Sequence, residues 1–545
     1  MIHSSAEYFK TIGFKEDPFA STNALKEEFL EEYFITPPYY HSLVGSVKSP
    51  KSSFVIAPRG TGKTAQRVML EKLSEKENGM LAVVYDDFPI EKSVDLKKLT
   101  LDEHLKRIMR ILLIALLSEA NNRIDGLILN SYEKKQIIKL IQFYLCGINT
   151  TEVENSIKKL KGLSGKLHDL WIKAGKPITS IVNSILTKNK MGEVDLDVCK
   201  SNDLINSDEL SSHYDFIEHI FNTIGITSVF ILVDSIDETV ATGNNAEKSY
   251  LLIKPFILDL RLLERNTIVF KFFVWNKIEE FWAEEFRKDR IEHFVITWKQ
   301  EEIRELISKR LAAFSYGKIS KLKDILNCDD NTIELIYLFA NNSPRDVINI
   351  MKSIFDEHLR LVKDQILKPE KNTIILGIEN FCKNKFEELI SNDKQRINLK
   401  RVKLATFTIP YLYNEIFKCE SSTARNILMP WTQAGIVYSS NNKIRVDNSP
   451  NPINIYTFSD LRIARYVCSN QKLEEFVKRN VIQCPECKSN NIFDKDNKYG
   501  LKAWQCKDCM TELLDNCNDE VINKRIPTQK SKDNIIEGQI SLFDL

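Results

Sequence analysis

At 545 residues the chain is too long for a single hydrophobic core, and about three or four domains are expected. Apolar residues make up 43% and charged residues 28%, with only 18 Gly and 16 Pro, which excludes wholesale disorder and fits a helix-rich folded protein. Lys and Arg number 76 against 75 Asp and Glu, so the net charge of +1 supplies no chain-wide field for nucleic acid or an acidic membrane. Any nucleic-acid contact has to be local.

The amino terminus, Met1 to Lys10, has no apolar core, and the longest apolar run, Ile111 to Leu117, falls far short of the ~20 residues of a bilayer span. A cytoplasmic chain is expected, neither secreted nor membrane-embedded. Four of the 11 cysteines form two Cys-x-x-Cys pairs, which fits a reducing compartment and one metal site better than a disulfide framework.

In chain order, residues 1–50 read as an arm with one short helix and extended, Pro-bounded segments around Tyr33 to Tyr40. Ser53 to Ala57 is an apolar strand that enters a glycine-containing turn and then a helical pattern from Thr64 to Leu73. Leu81 to Tyr85 is a second buried strand. The stretch from about Leu101 to Leu186 is mostly helical, with a loop around Gly147 to Thr151, and is predicted to be an insertion. Helix-period Phe216, Ile217, Ile220 and Phe221 precede the strand Val229 to Val233, and another strand follows at Ile268 to Val274. Alternating helices and apolar strands predict a parallel sheet covered on both faces. From Glu301 the residues Ile303, Leu306, Ile307 and Leu311 recur at helical spacing, and helices continue to about Leu389 as a lid.

Ala57-Pro58-Arg59-Gly60-Thr61-Gly62-Lys63-Thr64 fits a phosphate-binding loop between strand and helix. Gly60 and Gly62 permit the tight path whose N–H groups face phosphates, Lys63 reaches the β and γ oxygens, and Thr64 is placed to ligate Mg²⁺. A second element, an apolar strand ending in a metal-holding acid, is supplied by Val229 to Val233 and Asp234. Asp237 and Glu238 follow; they serve either to polarise the attacking water or as helix-capping acids.

These residues resemble the AAA+/STAND division of P-loop ATPases over about Ser53 to Asp356. The resemblance rests on the loop, on Asp234-Ser235-Ile236-Asp237-Glu238, and on the strand ending in Trp275-Asn276. The amino-terminal Asp17-Pro18-Phe19 is also similar to an Asn-Pro-Phe segment of some bacterial AAA+ ATPases. The resemblance implies bound ATP and Mg²⁺, with Asn276 sensing the γ-phosphate and Arg345, in Ser343-Pro344-Arg345-Asp346, reporting nucleotide state from the lid. Ser235 stands where ordinary AAA+ hydrolases have Glu, which moves the presumed base to Asp237 or Glu238. Arg287 and Arg290 are either arginine fingers across a subunit boundary or surface salt-bridging residues.

Beyond the lid, a helix over Ile409 to Phe417, a turn, and a helix capped by Ser421 or Ser422 lead to Gly435 and the strand Ile436 to Tyr438. Asn441-Asn442 is predicted to turn a hairpin into Lys443 to Val446, and Pro430 to shorten or kink the second helix. The order resembles a winged-helix domain, suited to a DNA groove or to protein docking. Cys484, Cys487, Cys506 and Cys509 have the spacing of a four-thiolate Zn²⁺ ribbon. Lys502, Trp504 and Lys507 offer it a basic and aromatic surface for nucleic acid, although ribbons also bind proteins. Near the end, Gln539, Leu542 and Phe543 resemble the peptide that docks bacterial DNA-processing proteins on the sliding clamp, or else mark an ordinary apolar chain end. His213 and His219 read as helix-surface residues and not as metal ligands.

The expected fold class is therefore α/β. An arm (1–50) precedes a parallel-sheet P-loop core (51–300, helical insertion about 101–186) and a helical lid (301–395). A winged-helix-like domain (396–480), a zinc ribbon (481–514) and a flexible tail (515–545) follow. The resemblance implies an ATP-hydrolysing, nucleotide-dependent homo-oligomeric switch acting at DNA or a DNA-bound machine, with anti-phage defence as one setting. A non-catalytic ATP-dependent scaffold and a replication or transposition ATPase related to origin-binding proteins are the alternatives.

Overall fold

Apolar runs that stay buried along their whole length build the central sheet. In this computed structural model, which describes residues 4–90, 95–123, 127–147, 178–196, 207–282, 284–361, 367–444, 452–493 and 503–514, β1 (Ser53–Ala57), β2 (Met80–Tyr85) and β3 (Ser228–Val233) are buried at every position. β4 (Ile268–Trp275) is buried to its last residue, and β5 (Glu292–Val295) alternates as an edge strand does. The strands are all parallel, in the order β2-β3-β4-β1-β5. One face presents Phe54, Ile56, Val83, Ile231 and Phe272, and the other Val55, Ala57, Ala82, Leu232 and Phe273. With helices or the arm on both faces, successive residues are all covered, which is why no polar alternation is visible in the sequence.

The first helix of the expected insertion, Leu101–Asn122, belongs to the sheet's main core: Ile108, Leu112 and Ile114 are fully buried there. Helices Ser131–Leu145 and Ile178–Lys188 pack beside it. His213 pairs with the Tyr144 hydroxyl at 3.0 Å and His219 with Glu133 at 3.0 Å, so both histidines fasten helices together. Most of the loop expected at Gly147 to Thr151 lies outside the described residues.

The arm holds more helix than its sequence implies, with turns at Ser5–Thr11, Leu30–Tyr33 and Tyr40–Val44. Two buried basic side chains tie it down. Lys271, within β4, donates to the carbonyls of Leu43 (2.6 Å) and Lys51 (2.7 Å). Arg310, in the helix Gln300–Phe314, donates to Pro18 O (2.6 Å) and to Glu27 (2.8 Å), with the Tyr33 ring 4.8 Å from its guanidinium.

The chain divides into two compact units. The sheet unit takes Met1–Leu326, Asn342–Lys352 and Lys363–Lys368; the second takes Asn327–Asn341, Ser353–Val362 and Pro369–Leu545. The segment 301–395 is thus shared between them. In the second unit, helices Asp330–Ala340 and Lys371–Leu389 pack together, followed by helix Asp393–Val402 and β6 (Thr406–Thr408). A helical turn Ile409–Tyr411 runs into the π-helical Leu412–Ile416, and helix Ser421–Gln433 leads to β7 (Val437–Ile444) and β8 (Ile453–Phe458). The antiparallel order β6-β8-β7 completes a winged-helix-like arrangement.

Three local expectations there are corrected. Asn441 and Asn442 lie inside β7 at a register irregularity, so the hairpin turns beyond Ile444. Pro430 lies inside the helix, which continues past it to Gln433 and so is not cut short at the proline. Glu420, not a serine, occupies the N-cap, without a side-chain capping bond. Gly435 does end the helix, at φ +67°. Among the described residues no helix is long and apolar enough to cross a membrane.

Candidate nucleotide site and candidate metal centre

Parallel strands deliver their loops to one edge of the sheet, so the segments after β1, β3 and β4 converge although the first is remote in sequence from the other two. Gly60 (φ +82°) and Gly62 (φ +99°) both adopt left-handed backbone. At Gly60 a Cβ would also stand 3.2 Å from Arg345 Cβ and 3.3 Å from Ser343 Oγ, so a side chain there would be strained in backbone and would press on Arg345 and Ser343. Thr61 Oγ1 donates to Pro58 O at 2.8 Å, and the Trp298 indole donates to Thr61 O at 2.8 Å, fixing the loop from two sides. Lys63 opens the helix Lys63–Lys76, and its Nζ donates to the carbonyls of Ala57 and Pro58, each at 3.1 Å. Burial lowers the affinity of this amine for its proton; Asp237 and Asp234 oppose that shift, while Arg345 and Arg59 add to it. A polyanion at the loop would restore the balance in favour of the charged lysine.

Asp234, at the end of β3, is buried and held on both oxygens: Oδ2 accepts from Arg67 Nε at 2.9 Å and Oδ1 from Ser235 N at 2.9 Å. Arg67 also pairs with buried Glu71, one turn further along its helix. Ser235 takes a left-handed φ of +59°, an unusual backbone for serine. Asp237 is paired with Arg59.

Pro58 and Thr61 form the back of the loop. Arg59, Gly60, Gly62, Lys63, Thr64, Asp234, Asp237, Glu238 and Arg345 line one cavity of ≈ 310 Å³. Asn276 follows β4 but is outside this lining. Arg287 pairs with Asp289 at 2.8 Å and Arg290 with Glu264 at 2.5 Å, all four at the surface. The apolar half of the cavity was not foreseen. Leu25, Tyr33, Phe34 and Ile35 of the arm line it together with Leu306 and Ile348. No local pattern marks the arm residues, because the contacts that hold them beside the loop are remote in sequence: Arg310 with Glu27, Gln66 Nε2 with the Tyr39 hydroxyl at 2.7 Å, and Lys72 with Glu31 at 3.4 Å.

The four cysteines meet at two similar turns. Cys484 N bonds to Ser489 O (2.9 Å) with Lys488 left-handed at φ +60°; Cys506 N bonds to Thr511 O (2.8 Å) with Met510 at φ +62°. The turns are held by the hairpins β9 (Val481–Gln483) with β10 (Asn490–Ile492), and β11 (Ala503–Gln505) with β12 (Glu512–Leu514). The four sulfurs lie within 4.8 Å of one another, with Cys484–Cys509 and Cys487–Cys506 each at 3.5 Å. Metal–sulfur bonds of about 2.3 Å in a tetrahedron place sulfurs about 3.8 Å apart, so the set is close enough to hold one ion. Ser489 and Thr511 hydroxyls contact Cys487 (3.1 Å) and Cys509 (3.0 Å) and orient the two outer thiols.

Trp504 is not a nucleic-acid surface. It is 2% exposed and packs with Phe493 and Leu513 inside the ribbon, because so small a module needs its tryptophan as core. Lys507 is half-buried, with its Nζ 3.5 Å from Ser459 O. Lys502 and the tail residues Gln539, Leu542 and Phe543 lie outside the described residues.

No protein-family model matches the chain, and no curated protein matches it. Among solved structures it is similar to Thermotoga maritima RuvB, described as a Holliday junction branch migration motor. The identity is 16% over 43% of this chain and 78% of that one, with a TM-score of 0.19. A point mutant of the same protein matches at 17% identity, with the same coverage and a TM-score of 0.18. Values this low say nothing about what this chain does or how it assembles.

Proposed function

We propose that the protein is an AAA+/STAND-type ATPase that switches state on binding and hydrolysing ATP. The observation that carries this reading is the convergence of Lys63, Thr64, Asp234, Glu238 and Arg345 on one cavity with an apolar end. The backbone of Gly60 to Thr64 and the Lys63 amine take the phosphates, and Leu25, Tyr33 and Ile35 flank the base. Thr64 and Asp234 would hold Mg²⁺, whose chemistry is to screen phosphate charge. Glu238 polarises water, and Arg345, pressed against Gly60, links the loop to the helix that begins at Pro344. Titration with a fluorescent ATP analogue is the test: Lys63→Ala should lose binding, and Glu238→Gln should bind without turnover. Undiminished binding by Lys63→Ala removes the reading.

The winged-helix-like arrangement and a zinc-loaded ribbon provide the modules for acting at DNA or a DNA-bound machine, in a nucleotide-dependent homo-oligomer. Phosphate release that rises with added DNA and with protein concentration supports both parts; indifference to each removes them. Docking of the tail on the sliding clamp through Gln539, Leu542 and Phe543 is tested by calorimetry with the isolated peptide and its Leu542→Ala variant. A second reading, an ATP-holding scaffold without turnover, draws on the ion pairs that already engage Asp234 and Asp237. Binding of ATP with no phosphate release by the wild-type chain would favour it.

A further inference from the structure

The phosphate loop and the acidic turn after β3 are joined by a contact that neither motif requires. Arg59 Nε donates to Asp237 Oδ2 at 2.7 Å, Nη2 lies 2.6 Å from the same oxygen as an ion pair, and Nη2 donates to Asn244 Oδ1 at 2.7 Å. The guanidinium lies 4.3 Å from the Trp275 ring centre, at the end of β4. One side chain thus spans three segments, those after β1, β3 and β4.

The turn it holds is closed independently. Asn244 N donates to Asp237 O at 3.0 Å, Glu238 N to Ser235 O at 3.1 Å, and Thr239 Oγ1 meets Thr242 Oγ1 at 2.7 Å. Arg59 therefore does not fold the turn but anchors both its ends, Asp237 and Asn244, to the phosphate loop. Within the pair, the Asp237 side chain is 7% exposed and that of Arg59 36%. To take a proton from water, the nearly buried Asp237 would have to surrender its ion pair with Arg59, which disfavours that role. Glu238 is exposed and lines the same cavity.

We propose that Arg59 is a positioning residue for hydrolysis, which by clamping Asp237 and Asn244 removes Asp237 from proton chemistry and presents Glu238 to the attacking water. The inference rests on the ATPase reading and deepens it. It separates the roles of two adjacent acids that the sequence leaves equivalent. It also makes the phosphate loop and the water-polarising turn move as one body, since displacing the loop displaces Asp237.

The test compares nucleotide affinity, KM and kcat for the full-length chain as wild type, Arg59→Ala, Arg59→Lys, Asp237→Asn, the Arg59→Ala/Asp237→Asn double variant and Glu238→Gln. Arg59→Ala and Asp237→Asn should each lower kcat about tenfold while leaving affinity and KM within about threefold, and the double variant should be no worse than either single one. Arg59→Lys should regain part of the loss, since an ammonium keeps the charge but not the planar fork that spans two acceptors. Glu238→Gln should lose about a hundredfold or more in kcat with affinity kept. Multiplying losses in the double variant overturn the clamp. Loss of affinity in Arg59→Ala with kcat unchanged makes Arg59 a phosphate ligand instead, and a larger kcat loss in Asp237→Asn than in Glu238→Gln makes Asp237 the base. If Arg59→Ala does not fold, Arg59→Lys and the near-isosteric Asp237→Asn carry the comparison. Failure of the wild type to bind or to turn over ATP removes the ATPase reading itself, whereas wild-type turnover with any of these contrary variant patterns overturns only the present inference.

Discussion

Lys271 shows how much a single residue can carry that its neighbourhood in sequence conceals. It is fully buried within β4, and burial lowers its pKa to about 7, with Glu292 pulling slightly the other way. A neutral amine has two N–H groups, matching the two carbonyls of Leu43 and Lys51 that it faces. Between about pH 7 and the ordinary lysine value the unfolded chain binds a proton that the folded chain does not, so raising pH through that window stabilises the fold. The wild type should therefore gain Tm relative to Lys271→Met from pH 7 to pH ~9.5; a constant difference would mean that the amine stays charged. Arg67 offers a second case. Arg67→Ala leaves Asp234 and Glu71 buried opposite each other, so a loss of about 3–5 kcal/mol is expected in urea unfolding. The tight turn at Gly60 and Gly62 and the buried acid Asp234 at the end of β3 were legible because their patterns are local, residue beside residue. The clamps from Arg59, Arg67, Lys271 and Arg310 were not. Apart from Glu71 within one helix, their partners lie far away in sequence, and nothing near an arginine in a sequence says which remote carbonyl or carboxylate it will meet.

Elements were legible where burial imposed one pattern along their whole length. β1 to β4 could be read as strands because a parallel sheet covered on both faces admits only apolar runs, and Lys271 is tolerated there only because the arm supplies acceptors. The hairpin failed at Asn441-Asn442 for the opposite reason. A turn-forming pair also fits a strand irregularity, and the choice was made by pairing with β8, which the local sequence does not contain. Helix packing was equally invisible. Gly377 lies in the interior of helix Lys371–Leu389, where glycine costs stability relative to alanine, yet a Cβ there would stand 2.6 Å from Ile354 Cα and 2.8 Å from Ile354 N. Those are backbone atoms and cannot rotate aside. Gly377→Ala should therefore destabilise the second unit by about 1–3 kcal/mol despite the better helix propensity. Thermal unfolding checks it, and an unchanged or raised Tm would show that the helices separate freely.

At the scale of the molecule, the cysteine cluster is more than a local staple. By its sequence the ribbon reads as a module whose metal supports only itself, but its core residues Phe493, Trp504 and Leu513 form one cluster with Ile455 of β8, and Ile453 and Ile482 pack against it. Thr457 Oγ1 lies 3.4 Å from Ile492 O, and Phe493 N donates to Asn480 O at 2.8 Å. The hairpin β7–β8 is thus buttressed by the module that carries the four clustered cysteines. Stripping zinc should unfold the ribbon, since so small a core does not hold without its metal, and should also uncover Ile455 on the wing sheet. The four cysteines and everything packed on them belong to the second unit, whereas the residues of the candidate nucleotide cavity belong to the first. Hydrogen exchange before and after chelation is the direct measurement. Amides of β8 should lose protection by about tenfold or more, amides of β1 and β3 should keep theirs, and ATP-analogue affinity should be unchanged. The double variant Cys484→Ser/Cys487→Ser should reproduce the chelated pattern without chelator. Unaltered protection of β8 would show that the wing stands without the ribbon, and weakened ATP binding would show that the metal supports the nucleotide unit as well.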